Sequence, residues 1–308
     1  MGRVVITRLA QAGFSLLALL LLVFSLVRLT GDPAYFYLPP DANRQQVEFT
    51  RRQLGMDLPL PVQFVTYVGN VLQGDLGISF KGRTLGTRVV DLVGQRLPNT
   101  MIMGGAAMVL ILCIGVPLGI YAAYWRGSGL DRGARLMAAL GQSVPSFWLG
   151  LLLILVFAVW IQVLPSGGFS GPSNLILPAI TLSVGSIAGL SRLLRSSMIE
   201  VLTSDYIGFH RMKGLPERSV IWKHALRNAG LTTLGYLGVV TASLLTGSVL
   251  VETVFVWPGT GRLLIESIEI RDFPVVQGLI LLYGGVYIGL NLFVDVLYTV
   301  LNPRLRTA

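Results

Sequence analysis

The sequence predicts an all-α polytopic membrane protein with six transmembrane helices and both termini in the cytoplasm. Of its 308 residues, 53% are hydrophobic and only 13% are charged, about half the charged share of a soluble domain. Uncharged stretches long enough to cross a bilayer recur along the chain. Lys and Arg concentrate in alternate connecting segments. The same composition excludes a disordered chain, which would be polar and rich in charge.

The first three predicted spans lie in the first half of the chain. The first, residues 9–27, is enclosed by Arg8 and Arg28 and is followed by no small-x-small cleavage motif. We therefore interpret it as a retained helix rather than a signal peptide. The second is predicted near residues 100–124 and the third near 136–163, both within stretches free of charge.

The other three spans follow a loop rich in glycine and proline at residues 164–172. The fourth is predicted near residues 175–194. The fifth lies between Arg227 and Glu252, and the sixth occupies most of the interval between Asp272 and Asp295.

The distribution of Lys and Arg predicts the orientation. The N-terminus, residues 125–135, residues 192–227 and the C-terminal tail together carry 14 Lys or Arg, whereas the short segments on the other side carry only Arg262 and Arg271. Short cytoplasmic segments carry this excess in membrane proteins. The net charge of +9 is thus explained by topology, and no nucleic-acid partner is predicted.

These boundaries divide the chain into three parts. Residues 1–29 hold the N-terminus and the first span, residues 30–98 form an external segment, and residues 99–308 form a five-helix core that contains the cytoplasmic loop 192–227. Two short surface helices are predicted in the external segment, over 41–54 and 59–72. This segment is either a packed cap over the outer ends of the spans or a docking surface for an external partner.

The cytoplasmic loop predicts two helices joined by a glycine turn. Ser204 or Asp205 can cap a helix that runs to Lys213, and Gly214 fits the position that ends it. Pro216 then fits the first turn of a second helix. Apolar residues alternate with the charges here, which suits a protein partner better than water; they are Ile207, Phe209, Met212, Val220, Ile221 and Trp222.

This loop resembles the signature loop of binding-protein-dependent ABC importer permeases, in the B-type subunit of the dipeptide/oligopeptide/nickel family. The matching motifs are Asp205-Tyr206, Arg211-x-Lys213-Gly214-Leu215 and His224-Ala225-Leu226-Arg227-Asn228-Ala229. Further motifs match in order along the chain, including Gly31-Asp32-Pro33, Gln73-Gly74-Asp75-Leu76-Gly77, Ile176-Leu177-Pro178, Glu252-x-Val254-Phe255 and Asn302-Pro303-Arg304. His210 and Met212 depart from the family, which carries alanines there.

The resemblance implies a type I permease architecture in the bacterial cytoplasmic (inner) membrane, surrounded by lipid. It implies a homologous second permease, two cytoplasmic ATPases that bind ATP and Mg, and an external or periplasmic solute-binding protein as partners. The permease itself would bind no cofactor and would not be an enzyme; the chain contains no Gly-x4-Gly-Lys-Ser/Thr phosphate loop. The implied solutes are small peptides or peptide-like molecules, with nickel, a metal chelate or glutathione as the alternative.

The resemblance also assigns the ATPase-coupling loop. Its residues would be Asp205, Tyr206, Phe209, Arg211, Met212, Lys213, Gly214, Leu215, His224 and Arg227. The short helix that ends at Gly214 would transmit the closing of the ATPases to the membrane helices.

Ionisable groups inside the spans are costly and are therefore candidates for function. Glu252 either faces the translocation path and the binding protein or bonds backbone groups of the Pro258-Gly259 turn. Asp295 has Asn291 one turn above it and is expected to pair with Arg192 or Arg195, as a structural ion pair or as a gate.

Two other classes of function remain as alternatives. An ion-coupled secondary transporter would need acidic residues near mid-membrane and usually repeated halves, and we find no repeat. A membrane enzyme would need a base near a nucleophile, yet both histidines, His210 and His224, lie in the cytoplasmic loop. With Cys113 as the only cysteine, no metal site is predicted.

Overall fold

The computed structural model describes residues 2–29, 34, 38, 42–53, 55–79, 84 and 86–301. Side chains are described at these positions except 2–5, 53, 231, 232, 295 and 297–301. The described chain is helical, with one isolated antiparallel bridge between Ile78 and Arg88. Its α-helices are α1 (Gly2–Leu29), α2 (Arg44–Gln53), α3 (Leu60–Leu72), α4 (Val89–Leu110), α5 (Val116–Tyr124), α6 (Gly129–Ser143), α7 (Ser146–Leu153), α8 (Ser173–Leu202), α9 (Asp205–Met212), α10 (Glu217–Ser219), α11 (Leu226–Val254), α12 (Thr260–Glu269) and α13 (Phe273–Leu301).

Three π-helical segments continue these helices without a loop. Ile111–Gly115 joins α4 to α5, Ile154–Trp160 extends α7, and Val220–Ala225 joins α10 to α11. Five helical runs are long and apolar enough to cross a membrane, which confirms a polytopic all-α fold. They are Ile6–Leu29, Val89–Tyr124, Ser173–Leu202, Thr233–Val254 and Phe273–Val294.

The predicted third span is not one helix. Helix α6 and the helical run Ser146–Trp160 meet at an angle of 104°, and they add a sixth span only if this bent pair counts as one. The break lies at Val144, whose backbone is extended (φ −90°, ψ 122°). Pro145 follows it, and a proline disfavours helical geometry at the residue before it. The prediction of a continuous helix over 136–163 was therefore wrong.

The two short helices expected in the external segment are present as α2 and α3. Helix α3 packs against one end of α1 through an edge contact between Phe24 and Phe64, whose ring centroids are 5.2 Å apart. Arg28 donates two hydrogen bonds to Gln63 Oε1, at 2.7 and 3.2 Å. These contacts fix α3 at the depth where the first span ends.

Three hydrophobic clusters hold the bundle together along its length. The central cluster joins α4, α8 and α11 around Met103, Leu190 and Phe255. A second cluster, at the end of the bundle that carries α9 (the α9 end), surrounds Ile207. A third, at the end that carries α12 (the α12 end), includes Leu279. Two sites follow from this arrangement, one at each end.

Candidate coupling site and buried polar clusters

Helix α9 confirms the predicted helix and its glycine end. Ser204 stands at its N-cap, although the Ser204 hydroxyl donates to Val201 O (2.6 Å) rather than capping the helix. The helix ends at Lys213, and Gly214 has a φ of +73°. The Gly214 amide donates to Arg211 O at 2.9 Å. Glycine alone adopts this left-handed geometry without a steric cost.

One face of α9 is anchored to the ends of the membrane helices. Ile207 is fully buried, in a cluster that also contains Met198 of α8 and Val220 of the π-helical segment. Leu215, just after the glycine turn, packs against the same cluster. Burying a branched aliphatic side chain contributes about 1.5–3 kcal/mol, so α9 is held to the bundle.

The opposite face of α9 is exposed and mixed in character. Tyr206 and Phe209 are exposed, and Met212 is 80% exposed. Lys213 Nζ lies 4.4 Å from the centre of the Phe209 ring. Asp205 and Arg227, also predicted for this site, lie exposed at the first turns of α9 and α11. An anchored helix with an apolar, basic-rimmed outer face is suited to bind a groove on another protein.

Two contacts join α9 to the segment that follows the Gly214 turn. Arg211 donates to Glu217 Oε1 at 2.7 Å, and this hydrogen bond raises the pKa of Arg211. The rings of His210 and His224 are 4.2 Å apart, and His210 Nδ1 lies 2.8 Å from Tyr206 O. Burial, and then the nearby His210 and Lys223, lower the pKa of His224.

Glu252 lies at the α12 end, fully buried. Its Oε2 accepts backbone N–H groups from Gly261 (2.7 Å) and Arg262 (3.1 Å), in the first turn of α12. Its Oε1 accepts the hydroxyl of Thr100 on α4, at 2.7 Å. From the sequence, Glu252 was expected either to face the translocation path or to bond the Pro258-Gly259 turn. The carboxylate bonds backbone groups, and these belong to Gly261 and Arg262, just beyond that turn.

A chain of hydroxyl groups extends from Glu252 to α13. The Tyr283 hydroxyl donates to Thr260 Oγ1 at 2.9 Å, and Thr260 Oγ1 lies 3.0 Å from Thr100 Oγ1. Thr260 N also donates to Thr100 Oγ1, at 2.9 Å. Four helices, α4, α11, α12 and α13, therefore meet in one satisfied polar cluster, which we name the Glu252 cluster.

The two predicted arginines of α8 have different surroundings. Arg195 is bound to Asp131 on α6, with Nε to Oδ1 at 2.6 Å and Nη2 to Oδ2 at 2.9 Å. The side chain of Asp295, which was expected to pair with one of these arginines, lies outside the described residues. Asn291 lines a cavity of about 190 Å³ between α1 and α13, with Arg8 and Tyr287 among its other walls.

Replacing Asp131 by Asn is expected to destabilise the subunit. The change removes a buried carboxylate from a two-pronged bond with Arg195, and hydrogen bonds to charged groups contribute about 1.5–3 kcal/mol each. Melting of the purified protein in detergent measures the loss. Adding Arg195→Gln should recover part of the stability; a double variant as unstable as the sum of the two single variants would contradict the pairing.

These features define a class of protein: a polytopic all-α membrane protein with an anchored helix that exposes an apolar, basic-rimmed face at one end of the bundle. The family models agree. The model of the binding-protein-dependent transport system inner membrane component matches residues 115–307. That of the N-terminal part of such membrane components matches residues 1–104. The chain belongs to this family, and is an ABC importer permease subunit and a multi-pass inner-membrane protein.

Known relatives extend over almost the whole chain. The glutathione transport system permease protein GsiC of Escherichia coli O6:H1 is 43% identical over 286 residues, 92% of each chain. The protein of the same name from Shigella boydii serotype 4 is 42% identical, with the same coverage. In fold, a chain of the inward-facing methionine ABC transporter MetNI matches with a TM-score of 0.59 at 17% identity. That match covers 68% of this chain and 96% of the other.

Proposed function

We propose that this permease passes short peptides, glutathione-type tripeptides among them, from an external binding protein into the cytoplasm, driven by separate ATPase subunits. The observation that carries the proposal is helix α9, which is anchored through Ile207 and exposes Tyr206, Phe209 and Met212. The relationship to the permease GsiC supports a tripeptide as the first solute to test. A second, homologous permease and two ATPases would complete the complex.

Reconstitution tests the solute and the energy source. The complex, purified with its ATPases and placed in proteoliposomes with binding protein, is expected to take up glutathione or short peptides only when ATP is supplied. Parallel assays with nickel salts test the metal alternative. Uptake that follows an ion gradient without ATP would contradict the proposal.

Partner binding tests α9 directly. The ATPase subunits should co-purify with the wild-type permease. They should be lost when the turn from Lys213 to Leu215 is replaced by a stiffer sequence such as three alanines, because the angle of α9 then changes. Retention of the ATPases at wild-type ratio would contradict this assignment.

Labelling of single cysteines tests the orientation in the membrane that we propose from the distribution of Lys and Arg. In a Cys113→Ala background, Asn70→Cys on α3 should react with a membrane-impermeant maleimide on intact spheroplasts, because we expect α3 to be external. Arg218→Cys, at the exposed start of α10, should react only after lysis. Labelling of Arg218→Cys from outside would reverse the topology.

A further inference from the structure

Helix α11 exposes a stripe within its membrane span in which three hydroxyl side chains, Ser243, Thr246 and Thr253, lie among apolar ones. Between residues 239 and 253 its exposed positions follow a spacing of four and three residues, so they share one face. They are Val239, Ser243, Thr246, Gly247, Leu250 and Thr253. The hydroxyls of Ser243 and Thr253 each donate to a carbonyl of their own helix at 2.8 Å. Their oxygen atoms therefore remain available as acceptors on the outside.

Helix α1 provides the contrast. Earlier in its span α1 also exposes Gln11 and Ser15, but from residue 16 to residue 29 its exposed side chains are leucines and one alanine: Leu16, Leu17, Ala18, Leu21, Leu22, Leu26 and Leu29. This is the surface expected against lipid, where polar groups are costly. The exposed face of α11 differs from it in chemistry, although both belong to membrane spans.

The stripe is continuous with polar side chains from two other helices. Tyr236, two turns from Ser243, lies over Gly189 of α8 so closely that a Cβ there would be 1.9 Å from the Tyr236 hydroxyl. Gln142 Nε2 of α6 lies 3.3 Å from the same point. Arg192, one turn beyond Gly189, interacts electrostatically with Tyr236. Polar groups from α6, α8 and α11 thus converge at one place.

Arg192 is an exposed cation within this group. It has no hydrogen-bond or ion-pair partner among the side chains that the structure describes, which do not include that of Asp295, its predicted partner. Arg195, three residues on, is neutralised by Asp131. Arg192 lies at the cytoplasmic end of the predicted fourth span, where an exposed guanidinium needs water, a headgroup or a counter-charge around it. Polar neighbours on three helices favour water and a passing anion over lipid.

We infer that Gln142, Arg192, Tyr236 and the hydroxyl stripe of α11 line the solute path, and that Arg192 attracts the carboxylate of a peptide solute there. This inference rests on the proposed function. Peptides carry a terminal carboxylate, and a guanidinium binds such a group with two parallel hydrogen bonds. The hydroxyl and amide groups offer weaker, exchangeable contacts, so the solute can be held and released.

Thiol accessibility in the complete complex, in a Cys113→Ala background, tests the position of the path. Thr246→Cys should react with water-soluble charged methanethiosulfonates at least tenfold faster than Leu21→Cys on α1. A thiol must ionise to react, and lipid prevents that. Thr246→Cys that is unreactive both without nucleotide and after trapping with ATP and vanadate would place the stripe against lipid or a partner helix and overturn the inference.

The charge of the path is tested with Gln142→Cys as reporter. The anionic reagent should react faster than the cationic one, and Arg192→Gln should reduce this ratio at least threefold. Arg126→Gln, which removes an exposed cation from the turn between α5 and α6, is the matched control and should leave the ratio unchanged. An unchanged ratio in Arg192→Gln, or an equal fall in both variants, would overturn the role of Arg192.

Transport assays test whether Arg192 acts on the peptide solute itself. Arg192→Gln should lower peptide uptake per ATP hydrolysed, at saturating binding protein, and Arg192→Lys should restore most of it. If the wild-type complex transports peptides while these variants behave as wild type, the inference fails and the proposed function stands. If the wild-type complex neither binds ATPases nor transports, the proposed function itself fails.

Discussion

Gly214→Val is expected to reduce coupled transport at least tenfold while the protein still inserts and still receives its external partner. Gly214 has a φ of +73°, and no atom lies within 4 Å of the point where a Cβ would stand. The cost is therefore backbone strain, about 1–2 kcal/mol for an ordinary residue and greater for a β-branched one. The strain tilts α9 away from the angle that its anchored face defines. Uptake and ATP turnover in the reconstituted complex measure the effect.

Gly127→Val is the matched control. Gly127 has a φ of +82° in the turn between α5 and α6, also with nothing within 4 Å of a Cβ. It carries the same strain outside the α9 segment and should leave the coupling ratio unchanged. Gly214→Asn, a residue that tolerates left-handed geometry, should be milder than Val. Wild-type coupling in Gly214→Val would refute the coupling role of α9.

Glu252→Ala is expected to cause the largest loss of stability. The change leaves the amides of Gly261 and Arg262, and the hydroxyl of Thr100, without their acceptor in a buried site. A buried donor without a partner costs about 1–3 kcal/mol, so the first turn of α12 should separate from α4. Loss of monodisperse protein after graded heating measures the effect.

Glu252→Gln separates hydrogen bonding from charge. The amide oxygen can still accept from Gly261 and Arg262, and the amide nitrogen can donate to Thr100 Oγ1. This variant should therefore keep most of the stability that Ala loses. If Glu252→Ala melted at the wild-type temperature, the Glu252 cluster would not contribute to the stability of the protein. If Gln were as unstable as Ala, the negative charge rather than the geometry would be required.

The sequence predicts most of the helices because charge is excluded from apolar spans. The bend between α6 and α7 was missed because the stretch 136–163 is free of charge, and the short polar run Gly141-Gln142-Ser143 before Pro145 was not read as a break. Pro98 and Pro178 lie inside α4 and α8 without ending them. Whether a proline bends or breaks a helix depends on whether neighbouring packing supports the new direction, which local sequence does not contain.

The polar contacts, like the helices, were predicted where their cause is local and missed where they depend on packing between distant residues. The glycine end of α9 was predicted because its cause is local, a helix followed by a residue without a side chain. The contact from Glu252 to Thr100 joins residues 152 positions apart and depends on how α4 packs. Asp131 had a signal that was overlooked: it is the only acidic residue between Asp91 and Glu200. The partly buried Arg195 therefore had no other acidic residue between positions 91 and 200 with which to pair.

The π-helical segment before α11 leaves the helix unbroken. From Glu217 to Val254 the backbone is helical without interruption, roughly 55 Å at about 1.5 Å per residue. One end adjoins the Gly214 turn, and the other carries Glu252. A helix resists compression along its axis, so this run is expected to move as one rigid unit. A displacement that the Gly214 turn passes on to Glu217 would therefore be expected to reach the Glu252 cluster at the other end of the run, because the helix between them is unbroken.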